Sequence, residues 1–364
     1  MPYGTVNADK MTTSDGVSSS GLYGFKNRII NGAMAISQRG TSFVSPTGAY
    51  TIDRWEMEEN TDGTVTVTQD TDAPTGFSFS QKFTVTSADA SLAATQDLIV
   101  GQYIEGFNTA DLVFGSASAA TVTLSFWVKS SLTGTFGGAL QNSARTRSYP
   151  FTYTISSAST WEQKTVTIAG DTTGTWIGAT NGIGLRVYFG LGVGSTYSGT
   201  AGAWAATNYY SATGAVSVIG TNSATWAVTG VQLEKGSTAT SFDYRPYGTE
   251  LALCQRYYYS SDKEQLYSAL GTGWEQSATA ATIYCPLPVP MRVTPTSMAF
   301  STVQLNDSSG ANIAVTGVTL DLSECSRIMA KITATVASGG AAGRVAALRS
   351  ANSTSGFIAF NSEL

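Results

Sequence analysis

The segment that most constrains the fold runs from residue 226 to residue 246 and reads WAVTGVQLEKGSTATSFDYRP. Trp226 and Val228 alternate there with the intervening residues, and a period of two places alternate side chains on opposite faces of a β-strand. The Glu-Lys-Gly triplet at 234–236 predicts a turn, after which Phe242 resumes the alternation. We therefore predict a strand that completes a two-sheet β-sandwich.

Most of residues 25–247 show the same alternation. The clearest strand is at 121–129, where four apolar side chains between Val122 and Val128 share one face. Residues 184–191 form a nearly continuous apolar run, which is typical of a strand buried on both faces. Polar, glycine-containing turns separate these runs. The pattern predicts about eight to ten strands, as in a jelly roll or a related sandwich.

The two ends of the chain differ from the middle. Residues 1–24 are rich in Ser, Thr and Gly and lack apolar periodicity, so we expect an extended arm there. Residues 248–364 contain one predicted helical turn or two, with Thr249 as a possible N-cap, followed by further strands. We predict an all-β protein with an N-terminal anchoring arm (1–24), a jelly-roll β-sandwich (25–247) and a smaller C-terminal β-sandwich (248–364).

The charge content argues against a nucleic-acid partner. Charged residues are 12% of the chain, about half of the usual quarter, so Ser, Thr, Asn and Gly must cover most of the surface. Such a surface is typical of large assemblies, where long charged side chains would lose entropy and solvation at interfaces. The net charge of −5 gives no reason to expect binding to DNA or RNA.

The chain contains no histidine, which removes both the commonest general base and the commonest zinc ligand. Cys254, Cys285 and Cys325 have no CxxC spacing, and we interpret them as buried thiols of a protein assembled in a reducing cytoplasm. No apolar run approaches the roughly 18 residues of a membrane span, and no signal-peptide core follows Met1. We therefore expect no membrane insertion.

Several motifs resemble those of tailed-bacteriophage fibre and virion proteins. They are GLYGFKNRIINGAM at 21–34, Gln38-Arg39-Gly40, Asp53-Arg54-Trp55, GVQLEKGSTATSFDYRP at 230–246, ELALCQRYY at 250–258 and the final Glu363-Leu364. The resemblance implies a jelly-roll domain like that of carbohydrate-binding modules, a homotrimer, and an N-terminal arm that attaches to other virion structural proteins. The anchoring residues would be Tyr3, Val6, Met11, Leu22, Tyr23 and Phe25. The protein would then be located on the virion, assembled in the host cytoplasm and later extracellular.

Aromatic residues in small-residue loops are candidates for glycan binding, because sugar rings stack their C–H faces on exposed Trp and Tyr side chains. In the loop at 195–214 the candidates are Tyr197, Trp204, Asn208, Tyr209 and Tyr210. In the last third of the chain they are Tyr258 and Trp274. The alternative is that these rings pack beneath the loop or at a subunit contact.

Acidic residues offer few candidates for chemistry. Glu56 and Glu58 would share one strand face, and two carboxyl groups about 5–9 Å apart can serve glycoside hydrolysis. The turn at 61–63 favours solvated acids around a hairpin instead, so we predict no enzyme and no cofactor. Asp53 is a candidate ligand for structural calcium. The Arg145-Thr146-Arg147 spot could contact acidic polysaccharide or be an ordinary solvated pair.

These observations predict a phage virion protein, a tail or head fibre with an adhesive role. It would contact host-cell surface polysaccharide through weak interactions made effective by multivalency. Two alternatives remain open. One is a purely structural capsid or tail decoration protein without a ligand, and the other is a polysaccharide depolymerase.

Overall fold

The computed structural model describes residues 26–261 and 265–364, and the all-β prediction is confirmed. The chain divides into two compact units between Pro246 and Tyr247. The predicted arm lies outside the described residues, and its assignment therefore stays a prediction. This applies to all of its anchoring residues, namely Tyr3, Val6, Met11, Leu22, Tyr23 and Phe25.

The first unit is a sandwich of two six-stranded sheets. Its strands are β1 (Ser42–Val44), β2 (Ala49–Tyr50), β3 (Glu56–Glu59), β4 (Thr64–Asp70), β5 (Ser80–Ser87), β6 (Asp97–Glu105), β7 (Val122–Ser130), β8 (Gly134–Gln141), β9 (Ser148–Ile155), β10 (Glu162–Ile168), β11 (Ile183–Val193), β12 (Ser198–Gly199), β13 (Ser211–Ala212) and β14 (Thr225–Lys235). Two 3₁₀ turns, Gly106–Asn108 and Ala110–Leu112, follow β6. The first sheet has the order β1-β4-β5-β14-β7-β10 and the second β2-β3-β6-β11-β8-β9, while β12 and β13 form a separate two-stranded sheet. All pairings within both sheets are antiparallel, which gives a jelly-roll sandwich.

Apolar side chains from both sheets form one continuous core. In β7 the four residues predicted to share a face are all fully buried, and they are Val122, Leu124, Phe126 and Val128. The strand at 184–191 is also buried on both faces, as its apolar run predicts. Alternation therefore identifies the central strands correctly.

Strand β14 departs from strict alternation at one point. Its pairing with β7 shifts between Thr229 and Gln232, and Gly230 adopts a φ of 61°. Glycine reaches this left-handed conformation without the clash that a Cβ would cause. The resulting bulge transfers the inward positions to Val231 and Leu233, so the regular alternation predicted across this strand is wrong beyond residue 229.

Residues of the phage-like motifs are hydrogen-bonded to one another. Asn27 donates to the Val231 carbonyl at 3.0 Å and accepts from the Leu233 amide at 3.1 Å. Asp243 accepts from two backbone amides of the entering segment, at 3.0 and 3.2 Å. Arg245 donates to a carbonyl of the same segment at 3.1 Å. We call Asn27, Asp243 and Arg245 the clasp, because they bind the segment entering the sandwich to β14 and to the segment leaving it.

A long connection after β11, which we call the crossing segment (194–221), packs against the outer face of the second sheet. A Cβ on Gly137 would lie 2.3 Å from Oγ of Ser211, and a Cβ on Gly190 would lie 2.8 Å from the same side chain. Both distances are shorter than side-chain contacts allow. Glycine at these two positions therefore lets the crossing segment lie directly on the sheet.

The second unit contains one helix and nine strands among its described residues. They are α1 (Tyr247–Gln255), β15 (Tyr258–Ser260), β16 (Ala269–Glu275), β17 (Ala280–Pro286), β18 (Ser297–Ser301), β19 (Val303–Asp307), β20 (Asn312–Leu320), β21 (Met329–Val336), β22 (Val345–Ser350) and β23 (Phe357–Asn361). The helix is confirmed, although Thr249 lies inside it and not at the N-cap. None of the helices among the described residues is long and apolar enough to cross a membrane.

Six strands of the second unit close into a barrel in the order β16-β17-β21-β20-β19-β22, and β15-β23-β18 form a separate sheet. The predicted smaller β-sandwich is therefore a closed barrel with an added sheet. Closure follows because β22 pairs with both β16 and β19, and a closed barrel leaves no unpaired strand edge. Of the three cysteines, Cys254 and Cys285 are buried as predicted, while Cys325 is half-buried.

Candidate functional site

The outer face of the second sheet carries a group of charged and phenolic side chains. Apolar residues at 98, 100 and 104 of β6 belong to the core, so Tyr103 lies on the opposite, outer face. The same alternation in β11 places Arg186 and Tyr188 outward. Strand β3 contributes Glu56 and Glu58, which share this face as the sequence predicts.

Glu58 is the centre of this group. Its Oε1 accepts hydrogen bonds from the Tyr103 hydroxyl at 2.6 Å, from Nη2 of Arg145 at 2.6 Å and from the Tyr188 hydroxyl at 3.3 Å. Arg145 lies in the loop between β8 and β9, and its Nη1 donates to the Tyr210 hydroxyl at 2.7 Å. Because Tyr210 belongs to the crossing segment, the network joins three strands, a loop and the crossing segment.

Arg186, which pairs with Tyr103 across β11 and β6, contacts the side chains of both Tyr103 and Tyr188. Its guanidinium lies 4.6 Å from the ring centroid of Tyr103, and its Nη1 donates to the Tyr188 hydroxyl at 3.1 Å. Its Nη2 donates to the Ser143 carbonyl at 3.0 Å. The rings of Tyr103 and Tyr188 pack edge to face, with centroids 6.1 Å apart. These contacts fix the phenols from several directions.

Exposure separates this group into two layers. Tyr103, Tyr188 and Tyr210 are each no more than 5% exposed, whereas the side chains of Glu58 and Arg145 are 23% and 29% exposed. The group thus presents one carboxylate and one guanidinium to solvent above a layer of buried phenols. We call it the outer-face cluster, and its members are Glu56, Glu58, Tyr103, Gln141, Arg145, Arg186, Tyr188, Asn208 and Tyr210.

Burial raises the pKa values of several titratable groups in the cluster. Burial raises the pKa of Tyr188 to about 12 and raises the pKa of Tyr103 well above its usual value. Both hydroxyls therefore stay protonated and act as donors at neutral pH. Burial also raises the pKa of Glu56, and the negative charge of Glu58 adds to this shift.

Three buried polar atoms of the cluster have no hydrogen-bond partner among the described residues. They are Oε2 of Glu56, Oε1 of Gln141 and Nε of Arg186. Gln141 is fully buried, and its amide nitrogen donates to Asn208 at 2.9 Å and to the Tyr209 carbonyl at 2.7 Å. An unpaired buried polar atom costs about 1–3 kcal/mol. The cluster therefore keeps three unsatisfied hydrogen-bonding atoms, at a cost in stability.

Asp97, at the start of β6, is expected to make stability depend on pH. The residue is 6% exposed, and burial, reinforced by the charge of Glu58, raises its pKa to about 6. The folded chain therefore binds a proton that the unfolded chain releases between about pH 4 and pH 6, and the free energy of unfolding falls as the pH rises through this window. Asp97→Asn should raise the free energy of unfolding by about 2 kcal/mol near pH 7.5 and by little near pH 4. Urea unfolding at both pH values measures the difference, and an equal effect at both would contradict this account.

Trp204 lies away from the outer-face cluster. Its ring packs edge-on against Trp176 at 5.4 Å and against Phe114 at 5.9 Å, and its Nε1 donates to the Ala169 carbonyl at 2.7 Å. The Trp204 ring therefore packs beneath the loop, which is the alternative that the sequence left open.

The other candidates of the crossing segment lie at or beside the cluster. Asn208 donates to the Tyr210 hydroxyl at 3.2 Å, and Tyr197 packs against the Tyr210 ring at 4.9 Å. The Tyr209 ring occupies the space beside Gly199. The structure thus brings Asn208 and Tyr210 into one network with Glu58 and places Tyr197 next to it.

The two candidates in the second unit are in different sheets. Tyr258 is half-buried in β15, opposite Asn361 of β23. Trp274 in β16 is 44% exposed, and its ring centroid lies 5.9 Å from that of Tyr284. The structure therefore does not combine Tyr258 and Trp274 into one site.

Asp53 has partners that disfavour calcium. It is 1% exposed and accepts hydrogen bonds from the backbone and side-chain amides of Gln38, while Arg39 lies 3.8 Å away. These contacts link the Gln38-Arg39-Gly40 motif to the Asp53-Arg54-Trp55 motif, so Asp53 has a structural role. In residues 26–261 and 265–364, no three His, Cys, Asp or Glu side chains are grouped so as to hold a metal ion.

Tyr103, Arg186 and Tyr188 are not among the residues predicted from the sequence. Arg186 is detectable as the one charged residue in the apolar run at 184–191. Its partner is not detectable, because the pairing of Arg186 with Tyr103 depends on the register between β11 and β6. That register is a long-range property of the fold.

No protein-family model and no curated protein matches the sequence. Among solved structures, the chain is similar to the enzymatically active domain of tailspike protein 4 of bacteriophage CBA120, at 12% identity and a TM-score of 0.31 over 58% of this chain and 21% of that one. It is also similar to TmCBM61 in complex with β-1,4-galactotriose, at 9% identity and a TM-score of 0.29 over 58% of this chain and all of that one. A third similarity is to the family 11 carbohydrate-binding module of a Clostridium thermocellum cellulosomal cellulase, at 11% identity and a TM-score of 0.25 over 53% and 94% of the two chains. The matched region is only about a fifth of the tailspike chain. The sandwich fold of this chain follows from its own strand order and pairing.

Proposed function

We propose that this chain is a virion surface protein of a tailed bacteriophage that binds host-cell polysaccharide, and that its first unit does so through the outer-face cluster. Binding of this kind requires no cofactor. The virion role and the binding role rest on different observations.

The observation that supports polysaccharide binding is the partly exposed pair of Glu58 and Arg145, whose charged atoms are 2.6 Å apart. A sugar presents adjacent hydroxyl groups that can donate to a carboxylate and accept from a guanidinium at the same time. Tyr103 and Tyr188 hold Glu58 in place from below, so little side-chain freedom is lost on binding. Asn208 adds a half-exposed amide at the edge of the cluster.

The virion role is supported by the phage-like motifs and by the low charge. The clasp shows what several motif residues do, since Asn27, Asp243 and Arg245 fasten the entry and exit of the sandwich. In this proposal the residues before the clasp anchor the chain to other virion structural proteins. A homotrimer would present three weak binding sites together, which raises the overall affinity through multivalency.

We also propose that the bound polysaccharide is not cleaved. Glu58 accepts three hydrogen bonds at a single oxygen, and one oxygen of Glu56 is buried. The pair therefore does not present two unpaired carboxyl groups to a glycosidic bond, as the hydrolytic mechanism requires. Release of new reducing ends from a bound polysaccharide would favour the depolymerase alternative instead.

A glycan array followed by affinity electrophoresis tests the binding site. The full chain should bind one or more bacterial surface polysaccharides on the array. Arg145→Ala and the isosteric Glu58→Gln should each weaken that binding roughly tenfold or more, because each removes a charged hydrogen-bonding group from the exposed pair.

The matched control for both variants is Lys129→Ala. Lys129 also forms an ion pair with a half-exposed carboxylate, that of Asp72, but it lies in the other sheet. This variant should bind as the native chain does. Equal binding by all three variants would contradict the assignment of the site, and absence of binding to every glycan would favour the purely structural alternative.

A further inference from the structure

The barrel of the second unit carries an exposed apolar strip across three neighbouring strands. Trp274 of β16 is 44% exposed, Val345 of β22 is 67% exposed and pairs directly with Trp274, and Tyr284 of β17 is half-exposed. The alternate residues of these strands, such as Ile283 and Leu348, are buried inside the barrel. The strip therefore lies on the outside of a closed barrel.

The two aromatic rings of the strip are suited to contact a flat, extended ligand. Their centroids are 5.9 Å apart and their planes differ by 34°. This arrangement presents neighbouring ring surfaces on adjacent strands, where the barrel backbone keeps them in place.

Threonine hydroxyls surround the rings on the same face. Residues directly opposite one another in an antiparallel pair share a face, which places Thr282 beside Trp274 and Thr272 beside Tyr284. Thr282 is fully buried, and its hydroxyl has no hydrogen-bond partner among the described residues. Thr333 extends the row on β21. Of these threonines, Thr272 is exposed and Thr333 is half-exposed, so their hydroxyls are the ones that a bound ligand could reach. Lys331, opposite Tyr284, adds an ammonium group that is ion-paired with Asp321 and Glu324.

The size and chemistry of the strip favour a glycan over a second protein chain. A stable protein interface buries about 800 Å² on each partner, far more than three partly exposed side chains provide. A chain of sugar rings has apolar C–H faces that pack on aromatic rings and hydroxyl groups that bond to polar side chains at their edges. Two neighbouring aromatic rings with the accessible threonines Thr272 and Thr333 match that pattern.

We infer that Trp274, Tyr284 and Val345 form a second polysaccharide-contact surface, which stacks two successive sugar rings of a glycan chain. This inference extends the proposed function from the first unit to the second. The two surfaces lie in different compact units, so each can be tested while the other is left intact. A chain with both surfaces would contact polysaccharide at two points per subunit and gain affinity from their linkage.

Affinity electrophoresis of the full chain in gels that contain hydroxyethyl cellulose, galactan, soluble starch or polygalacturonate tests this surface. The variants are Trp274→Thr and Tyr284→Thr, because threonine favours β-strands and keeps the barrel intact. Each should weaken retardation by a bound polysaccharide roughly tenfold, since aromatic side chains dominate contacts of this kind. The loss should also occur in a chain that already carries Arg145→Ala. Leu322→Ala, which truncates a 61% exposed residue of the same unit, should migrate as the native chain does.

Three results would overturn the inference. Unchanged retardation of both threonine variants, with loss only in Arg145→Ala, would leave the proposed function standing and exclude the second surface. A change in sedimentation coefficient of Trp274→Thr would show that the strip is an interface between copies of the chain. Absence of retardation of the native chain in every gel would overturn this inference. The glycan array would then test the outer-face cluster of the first unit independently.

Discussion

Replacing Trp226 with alanine should lower the free energy of unfolding of the first unit by about 4 kcal/mol. Trp226 is fully buried at the centre of the sandwich, where its ring lies 5.8 Å from that of Phe83 and 5.5 Å from that of Phe189. Its Nε1 donates to the hydroxyl of Tyr153 at 3.1 Å. The substitution would leave both a cavity and an unpaired buried phenol.

Urea unfolding followed by tryptophan fluorescence measures this effect, because six of the seven tryptophans precede residue 247. Trp161→Ala is the matched control, since Trp161 is only half-buried and bonds to Asp72 near the surface. It should cost less than about 1 kcal/mol. Equal losses in the two variants would show that Trp226 does not occupy the core of the sandwich.

Replacing Asn27 with alanine should cost about 3 kcal/mol, because it removes the centre of the clasp. The side chain is 5% exposed and makes three hydrogen bonds to backbone groups, with Ile29 at 2.9 Å, Val231 at 3.0 Å and Leu233 at 3.1 Å. Alanine would leave these buried backbone groups without partners. The entering segment should then detach from β14.

Two measurements separate a lost clasp from a general loss of stability. Limited proteolysis should cut Asn27→Ala within residues 26–34 at protease concentrations that leave the native chain intact. Asn222→Ala, at an exposed turn position, should change neither proteolysis nor the free energy of unfolding. Resistance of the Asn27 variant to cleavage would contradict the role given to the clasp.

The sandwich could be predicted because the alternation of apolar residues within each strand reveals which face is buried. The buried face of β7 is recognisable in the sequence because apolar residues alternate along it, and the four residues predicted to point inward are fully buried. The bulge in β14 was not predictable from alternation, because Gly230 fits an extended strand as well as a left-handed turn. Its position becomes visible only in the pairing with β7.

The barrel of the second unit shows a different limit. Its strands alternate as those of a sandwich do, and alternation alone does not report whether the outermost strands meet. Closure depends on the pairing of β16 with β22, across a sequence separation of about 75 residues. A smaller sandwich and a closed barrel therefore produce the same local pattern.

The candidate site depended on the same kind of long-range information. Glu56 and Glu58 were recognisable as residues sharing a strand face, and Arg145 was recognisable as a loop cation. That Glu58 and Arg145 meet at 2.6 Å follows from the order β3-β6-β11-β8 in one sheet. The aromatic residues of the crossing segment were candidates for exposed contacts, with packing beneath the loop as the alternative, and Tyr210 is buried because glycines in the sheet allow the segment to pack closely.

Hydrogen–deuterium exchange of the full chain, with and without an oligosaccharide of a glycan bound on the array, tests the central claim most directly. The outer-face cluster includes Arg145 from the loop at 142–147 and Asn208 and Tyr210 from the crossing segment. Binding at the cluster should therefore slow exchange in both stretches, while exchange in β5 of the other sheet should not change. If the oligosaccharide binds and neither stretch is protected, the outer-face cluster is not the polysaccharide site of the first unit.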